Sequence, residues 1–260
     1  MRQEYKYLVS DDKIPFLREA IRPHVIPDDH VDIGHAEDYT VRSIYYDDSR
    51  MTQYHKKLSG DRNRKKYRIR GYNEYDENNI VFLEIKRKHD LSILKNRAPV
   101  YFKNIYDLLI TGNIAEFMRA RPDFPDAENN ALRFLYNYYK LHLVPVVKVI
   151  YDREAYLFKF DHSGRVTFDK NLRGSIYPQL KNLYQDQKIK YAFRDQFILE
   201  IKSNYGFPEW AVPIIAELGV KRQALSKFTI CIDMNKSAIR RFSTNETIAH
   251  SKHEYFFIND

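Results

Sequence analysis

A chain of 260 residues with 43% hydrophobic content can bury a large core, which excludes a disordered or fibrous protein. Lysine and arginine exceed aspartate and glutamate by 43 to 35, a net charge of +8 that favours polyanionic partners without distinguishing nucleic acid, membrane and phosphate. Cys231 is the single cysteine, which excludes an intrachain disulfide and a cysteine-based zinc site, and neither a signal stretch nor a run of roughly 18 apolar residues occurs, so a soluble cytoplasmic protein is expected.

In chain order, Gln3 to Val9 alternates Glu4, Lys6 and Leu8 against Tyr5, Tyr7 and Val9, the period of a strand. Ser10 is the expected N-cap of a helix whose first turn carries Asp11 and Asp12 and whose stripe is Ile14, Leu17, Ala20 and Ile21. Tyr39 to Asp48 reads as a strand and Met51 to Leu58 as a short helix ending at Gly60. Lys65 to Lys88 reads as an antiparallel hairpin closed by Gly71 to Asn79. In it Lys66, Arg68 and Arg70 oppose Tyr67 and Ile69, and Phe82, Glu84, Lys86 and Lys88 oppose Val81, Leu83 and Ile85.

Ile93 to Phe102 continues as a strand, and Asn104 to Gly112, Ile114 to Arg121 and Ala127 to His142 as helices. Val146 to Phe158, Gly164 to Gly174 and Gln196 to Asn204 read as strands, around an irregular stretch from Tyr177 to Ala192. Pro208 to Leu218 and Arg222 to Asp233 read as C-terminal helices, and Cys231 as core filler. No linker divides residues 1–260, so the prediction is one α+β domain: about eight meandering strands in a closed antiparallel barrel with surrounding helices.

Basic residues recur on single faces of several strands: Arg153 beside Tyr151 and Ala155, Arg165 beside Thr167 and Asp169, Lys202 beside Ile198 and Glu200. With these faces outward, the opposite faces would fill an apolar barrel interior. With them inward, the amphipathic helices would cover the apolar outer surface, and the cations would line a water-filled tunnel. Glu4, Glu84 and Glu200 would partly compensate their repulsion. Periodicity alone leaves both arrangements open.

EYKY at Glu4 to Tyr7, RSIYYD at Arg42 to Asp47, KYRIRGY at Lys66 to Tyr72, FLEIKRK at Phe82 to Lys88, RVTFD at Arg165 to Asp169, LEIK at Leu199 to Lys202 and LSKF at Leu225 to Phe228 occur in this order. Together they resemble the VTC domain, named for the vacuolar transporter chaperone complex, a polyphosphate polymerase domain among the triphosphate tunnel metalloenzymes. The resemblance implies a barrel tunnel with its basic face inward. By motif match it places Lys6, Arg68, Arg70, Lys86, Lys95, Arg153, Arg165 and Lys227 at the phosphate-binding positions and Glu200 at the metal-binding glutamate. Lys57, just ahead of the hairpin, and Lys66 on its basic face join the substrate-binding set. Where the fungal pattern has a lysine three residues before the position of Lys227, this chain has Ala224, with Lys221 or Arg222 expected to reach the same region. The regulatory and membrane segments that accompany fungal members do not occur in this sequence, which suggests a freestanding catalytic module.

The implied function is metal-dependent phosphotransfer, moving the γ-phosphoryl group of ATP onto a growing polyphosphate chain. Arg68, Arg70, Arg153 and Arg165 would orient the triphosphate as rigid bidentate forks, with Arg68, Arg70, Arg165 and Glu200 as the catalytic set. Glu200 would hold Mn²⁺ or Mg²⁺; its other reading is a buried ion-pair partner of Lys202 or a tunnel arginine. The nine histidines show no metal-ligand spacing. The alternatives are a tripolyphosphate or nucleoside triphosphate hydrolase of the same fold and a non-catalytic polyphosphate-binding module. RNA binding by stacked tyrosines is disfavoured, since most tyrosines fall on the apolar faces.

Overall fold

The computed structural model describes residues 3–28, 38–90, 92–118, 122–161 and 164–235. Ten strands form one antiparallel sheet. Its path runs from β1 (Gln3–Ser10) through β10 (Gln196–Ser203), β8 (Arg165–Ile176), β7 (Val144–Phe158), β3 (Tyr39–Asp47), β4 (Arg64–Tyr72) and β5 (Ile80–His89) to β6 (Ser92–Tyr101). The short strands β2 (Val25–Pro27) and β9 (Lys190–Tyr191), which their length hides in the sequence, add to β7 and β8.

The expected closed barrel is corrected: among the described residues β1 and β6 end the path and share no backbone ladder. The free edge of β1 is occupied by residues 222–225. Gln223 N–H donates to the Lys6 carbonyl at 2.8 Å, and the Arg222 guanidinium to the Glu4 carbonyl at 3.1 Å. The sheet nevertheless curls far enough for Lys86 Nζ on β5 to meet Glu4 Oε1 on β1 at 3.1 Å. A side-chain seam thus stands where backbone closure was expected.

The convex side is apolar, as the inward arrangement of charge requires. Tyr67, Ile69, Leu83 and Ile85 pack with α3 (Ile105–Thr111) and α5 (Ala127–Lys140), through Leu108, Ala131 and Phe134. Around the curve, Tyr5, Tyr7, Phe168, Leu199 and Ile201 pack under α1 (Ile14–Ile21) and α6 (Ala211–Leu218), through Leu17, Ile21, Ala211 and Ile214. A third cluster fills part of the concave side. There Val41, Tyr45, Val149, Tyr151 and Leu172 meet Tyr54 of α2 (Thr52–Leu58) and Phe228, Cys231 and Ile232 of α7 (Lys227–Asp233). Gly174 allows this approach, since a Cβ there would lie 2.3 Å from the Lys148 carbonyl and 3.2 Å from Cys231 Sγ. Cys231 is core, as expected, and burial pushes its thiol up to about 12.

Three local readings differ. Ser10 precedes a single 3₁₀ turn, Asp11–Lys13, and makes no side-chain cap bond, so α1 starts at Ile14. The last helix begins at Lys227, because residues 222–225 are spent along β1; Ser226 caps it, accepting from Thr229 N–H at 3.5 Å. The helix expected over Ile114 to Arg121 is α4 (Ile114–Phe117), and Arg121 lies outside the described residues. Within the stretch from Tyr177 to Ala192, Leu180, Leu183 and Tyr184 cap the convex side by entering the first core, while Ala192 packs against the third cluster. Arg42 reaches Asp186 of this stretch at 2.5 Å, and Lys148 donates to the Asn182 carbonyl at 3.0 Å and to that of Gln185.

Candidate functional site: the concave basic face

Strand alternation turns Lys66, Arg68 and Arg70 of β4 inward with Glu84 and Lys86 of β5, Lys95 and Arg97 of β6, Arg153 of β7, Arg165 and Asp169 of β8, Glu200 and Lys202 of β10, and Glu4 and Lys6 of β1. Cations outnumber carboxylates, and each carboxylate is shared.

Glu84 is the first hub. Its Oε2 takes Arg68 Nε at 2.6 Å and Nη2 at 2.5 Å, and its Oε1 lies 2.9 Å from Lys95 Nζ and 3.2 Å from Arg97 Nε. Burial alone would raise the carboxyl; Arg68, Arg70, Lys95 and Arg97 outweigh it and hold Glu84 far below the usual range. The Tyr45 hydroxyl accepts a further bond from Arg68 Nη1 at 2.8 Å.

Asp169, fully buried, is the second hub. Arg153 grips it with Nε at 2.6 Å and Nη2 at 2.9 Å, and Lys227 Nζ sits 2.5 Å away. Against burial, these two cations bring its carboxyl down to about 2. Glu200 is the third hub, with Lys6 at 3.4 Å and Lys202 at 3.5 Å from Oε1, and Arg153 at 3.9 Å from Oε2. Burial opposes its ionisation, but Lys202, Lys6, Lys227 and Arg153 keep it well below the ordinary value. Glu4 joins Lys6 at 3.5 Å to Lys86 at 3.1 Å.

Two cations have only neutral partners. Arg70 donates to Ser43 Oγ at 3.0 Å and to the Tyr151 hydroxyl at 3.4 Å. Lys66 donates to Ser226 Oγ at 2.8 Å and stands 5.6 Å from the centre of the Phe228 ring. Among the described residues neither has a carboxylate within ion-pair distance. Burial, then Lys6, Lys86 and Lys57, depress the Lys66 ammonium well below its usual value. Lys57 of α2 adds to the same end of the face, and burial followed by Arg64, Lys6 and Lys88 lowers it as well. Arg165 is held by Asp28 at 2.8 Å and the Tyr39 hydroxyl at 2.9 Å.

All the basic positions expected to bind substrate thus share one concavity, and Glu200 lies in it. Asp169, Lys202, Arg97 and Tyr45 belong there too. Asp169 and Lys202 shared faces with named residues in the alternation, but nothing in one sequence told which carboxylate grips which cation. Arg222 is a correction: it does not turn toward the place left by Ala224 but lies 4.4 Å over the ring of Tyr5, on the convex side of β1. The tyrosines divide between the faces, with Tyr39, Tyr45 and Tyr151 serving the arginines and Tyr5, Tyr7 and Tyr67 in the core.

No group of three or more His, Cys, Asp or Glu among the described residues is arranged to hold a metal ion. His30, His35, His162, His250 and His253 lie outside the described residues. A hard divalent cation needs only one or two carboxylates when phosphate oxygens complete its shell, and Glu200 with nearby Glu4 meets that requirement. No helix among the described residues is long and apolar enough to cross a membrane.

The VTC domain family model matches residues 1–235. Comparison with curated proteins finds no match. Among solved structures, a candidate adenylate cyclase from Bacillus halodurans aligns at 16% identity and a TM-score of 0.48, over 86% of this chain and 95% of that one.

Proposed function

The chain belongs to the VTC domain family, and from this premise we propose that it transfers the γ-phosphoryl group of ATP to the end of a polyphosphate chain held along the concave basic face. The observation that carries the reading is a pair of cations, the buried Arg70 and the half-buried Lys66, that have hydroxyl partners and no carboxylate. A buried, uncompensated cation is costly unless an anion completes it. Two of them beside a row of paired ones suit a ligand with negative charge repeated along its length.

In this reading Arg68, Arg70, Arg153 and Arg165 orient the triphosphate, their planes fixed by Glu84, Ser43, Asp169 and Asp28. Lys6, Lys57, Lys66, Lys86, Lys95 and Lys227 supply point charges that hold the polymer without fixing its register. Glu200, with Glu4 beside it, would hold a Mn²⁺ or Mg²⁺ ion, which when bound neutralises charge on bridging phosphoryl oxygens. The nucleophile is an oxygen of the polymer's terminal phosphate, so no side chain need be covalently modified. Fixed guanidinium groups then stabilise the charge on the equatorial oxygens as the bond to ADP breaks.

One observation favours a second reading, a non-catalytic polyphosphate binder. Ala224 replaces a tunnel lysine of the fungal pattern, and Arg222 turns away. Incubation with ATP and Mn²⁺ decides. Long polyphosphate chains support the polymerase; orthophosphate alone indicates a hydrolase; tight polyphosphate binding without turnover indicates a binder.

A further inference from the structure

Three inward residues alternate along β8: Arg165, Thr167 and Asp169. Arg165 and Asp169 have ion-pair partners. Thr167 is 1% exposed, and its Oγ1 has no hydrogen-bond partner. It stands in register between Ala155 of β7 and Glu200 of β10, so the hydroxyl belongs to the wall that carries the Glu200 hub. On the same strand face, Arg165 Nε is a second buried donor with no partner. Two orphaned donors two residues apart therefore lie on the inward face of β8, among polar groups that are mostly cations.

A buried hydroxyl whose hydrogen bond is unmade weakens the free protein, and a valine would fill the same space and suit the strand at least as well. The hydroxyl gains its partner only when an acceptor enters. Among Lys6, Lys202, Arg153 and Arg165, the acceptor that fits is an anionic oxygen.

We infer that Thr167 Oγ1, together with Arg165 Nε, forms a subsite for one phosphoryl group of the bound chain, with the threonine donating to a non-bridging oxygen. Thr167 then fixes the phosphate row beside Glu200 by a directed bond, where the lysines contribute charge without direction. The inference rests on the reading of the concave face as a phosphate tunnel and names a contact which that reading lacks.

The test compares wild type, Thr167→Val and Thr167→Ser by calorimetric titration with inorganic tripolyphosphate in EDTA, and by thermal unfolding without ligand. Thr167→Val should melt at or above the wild-type temperature, because it removes an unsatisfied polar group, yet bind tripolyphosphate about tenfold or more weakly. Thr167→Ser should bind within about threefold of wild type. Equal binding by wild type and Thr167→Val overturns the inference. So does loss of stability or of folding in the valine variant, which would mean an intramolecular partner. So does a binding defect that appears only with Mn²⁺, which would assign the hydroxyl to the cation's shell. Wild-type protein that ignores tripolyphosphate overturns the tunnel reading as well, whereas wild-type binding with an unaffected valine variant removes this contact alone.

Discussion

Binding of a polyanion should make the protein take up a proton at alkaline pH, and Lys202 is one of the groups that supply it. Its ammonium lies 3.5 Å from Glu200, but burial outweighs that attraction and brings it from 10.5 to about 8. The free protein therefore holds Lys202 about half charged at pH 8, about one-tenth charged at pH 9 and almost fully charged at pH 6.5. A bound tripolyphosphate restores the charged form. The expected uptake is about half a proton at pH 8, nearly one at pH 9 and little at pH 6.5, and by linkage Lys202 weakens binding almost tenfold per pH unit near pH 9. Stability of the free protein moves the other way. The folded state binds fewer protons than the unfolded one between about pH 8 and 10.5, so a penalty of about 3 kcal/mol, fully present below pH 8, is relieved as pH rises through that window. Calorimetry at each pH in two buffers of different ionisation enthalpy counts the protons. The difference between wild type and Lys202→Met separates the lysine from the titration of tripolyphosphate itself. Equal proton counts for the two proteins at pH 9 would refute the reasoning.

Arg68→Ala should weaken tripolyphosphate binding at least tenfold while the fold persists, since Lys95 and Arg97 still neutralise Glu84; unchanged affinity in a calorimetric titration rejects its role. Glu200→Gln should bind nucleotide as well as or better than wild type but lose metal-dependent turnover. Lys6 keeps Glu4 and Arg153 keeps Asp169, so of the three cations around Glu200 it is Lys202 that is left with no carboxylate at ion-pair distance. Near-wild-type turnover per folded molecule would sink the metal-ligand assignment. Leu83→Ala, on the convex face at 1% exposure, should cost about 2–5 kcal/mol in urea unfolding without altering turnover per folded molecule; an unchanged midpoint would mean that the faces are reversed.

The faces were legible because period-2 alternation is a local property: Tyr67 and Ile69, or Leu199 and Ile201, lie on the side their neighbours predict. The motifs from EYKY to LSKF carried the direction of that face, which composition could not. Closure was not legible. Whether the first strand pairs with the last depends on what occupies its free edge, and the 222–225 segment that does so looked like the start of a helix. The hubs were half legible. Glu84 and Glu200 stood out as carboxylates in basic strands, but the pairing of Asp169 with Arg153 crosses two strands brought into register by an irregularity between Ile150 and Asp152. The positions of β2 and β9 also depend on partners distant in sequence, and their two or three residues hold too little pattern to announce them.

The seam between β1 and β5 has a topological consequence. A wall joined all round by backbone hydrogen bonds is a closed ring, and a long linear polymer can enter it only by one of its ends. Here the circuit is completed by side chains, at Glu4 and Lys86 by an ion pair and at Lys66 and Ser226 by a hydrogen bond, contacts which salt and competing phosphates can loosen while every strand ladder stays intact. On the proposed function, a face closed by such a seam would be able to take hold of a polyphosphate chain in its middle.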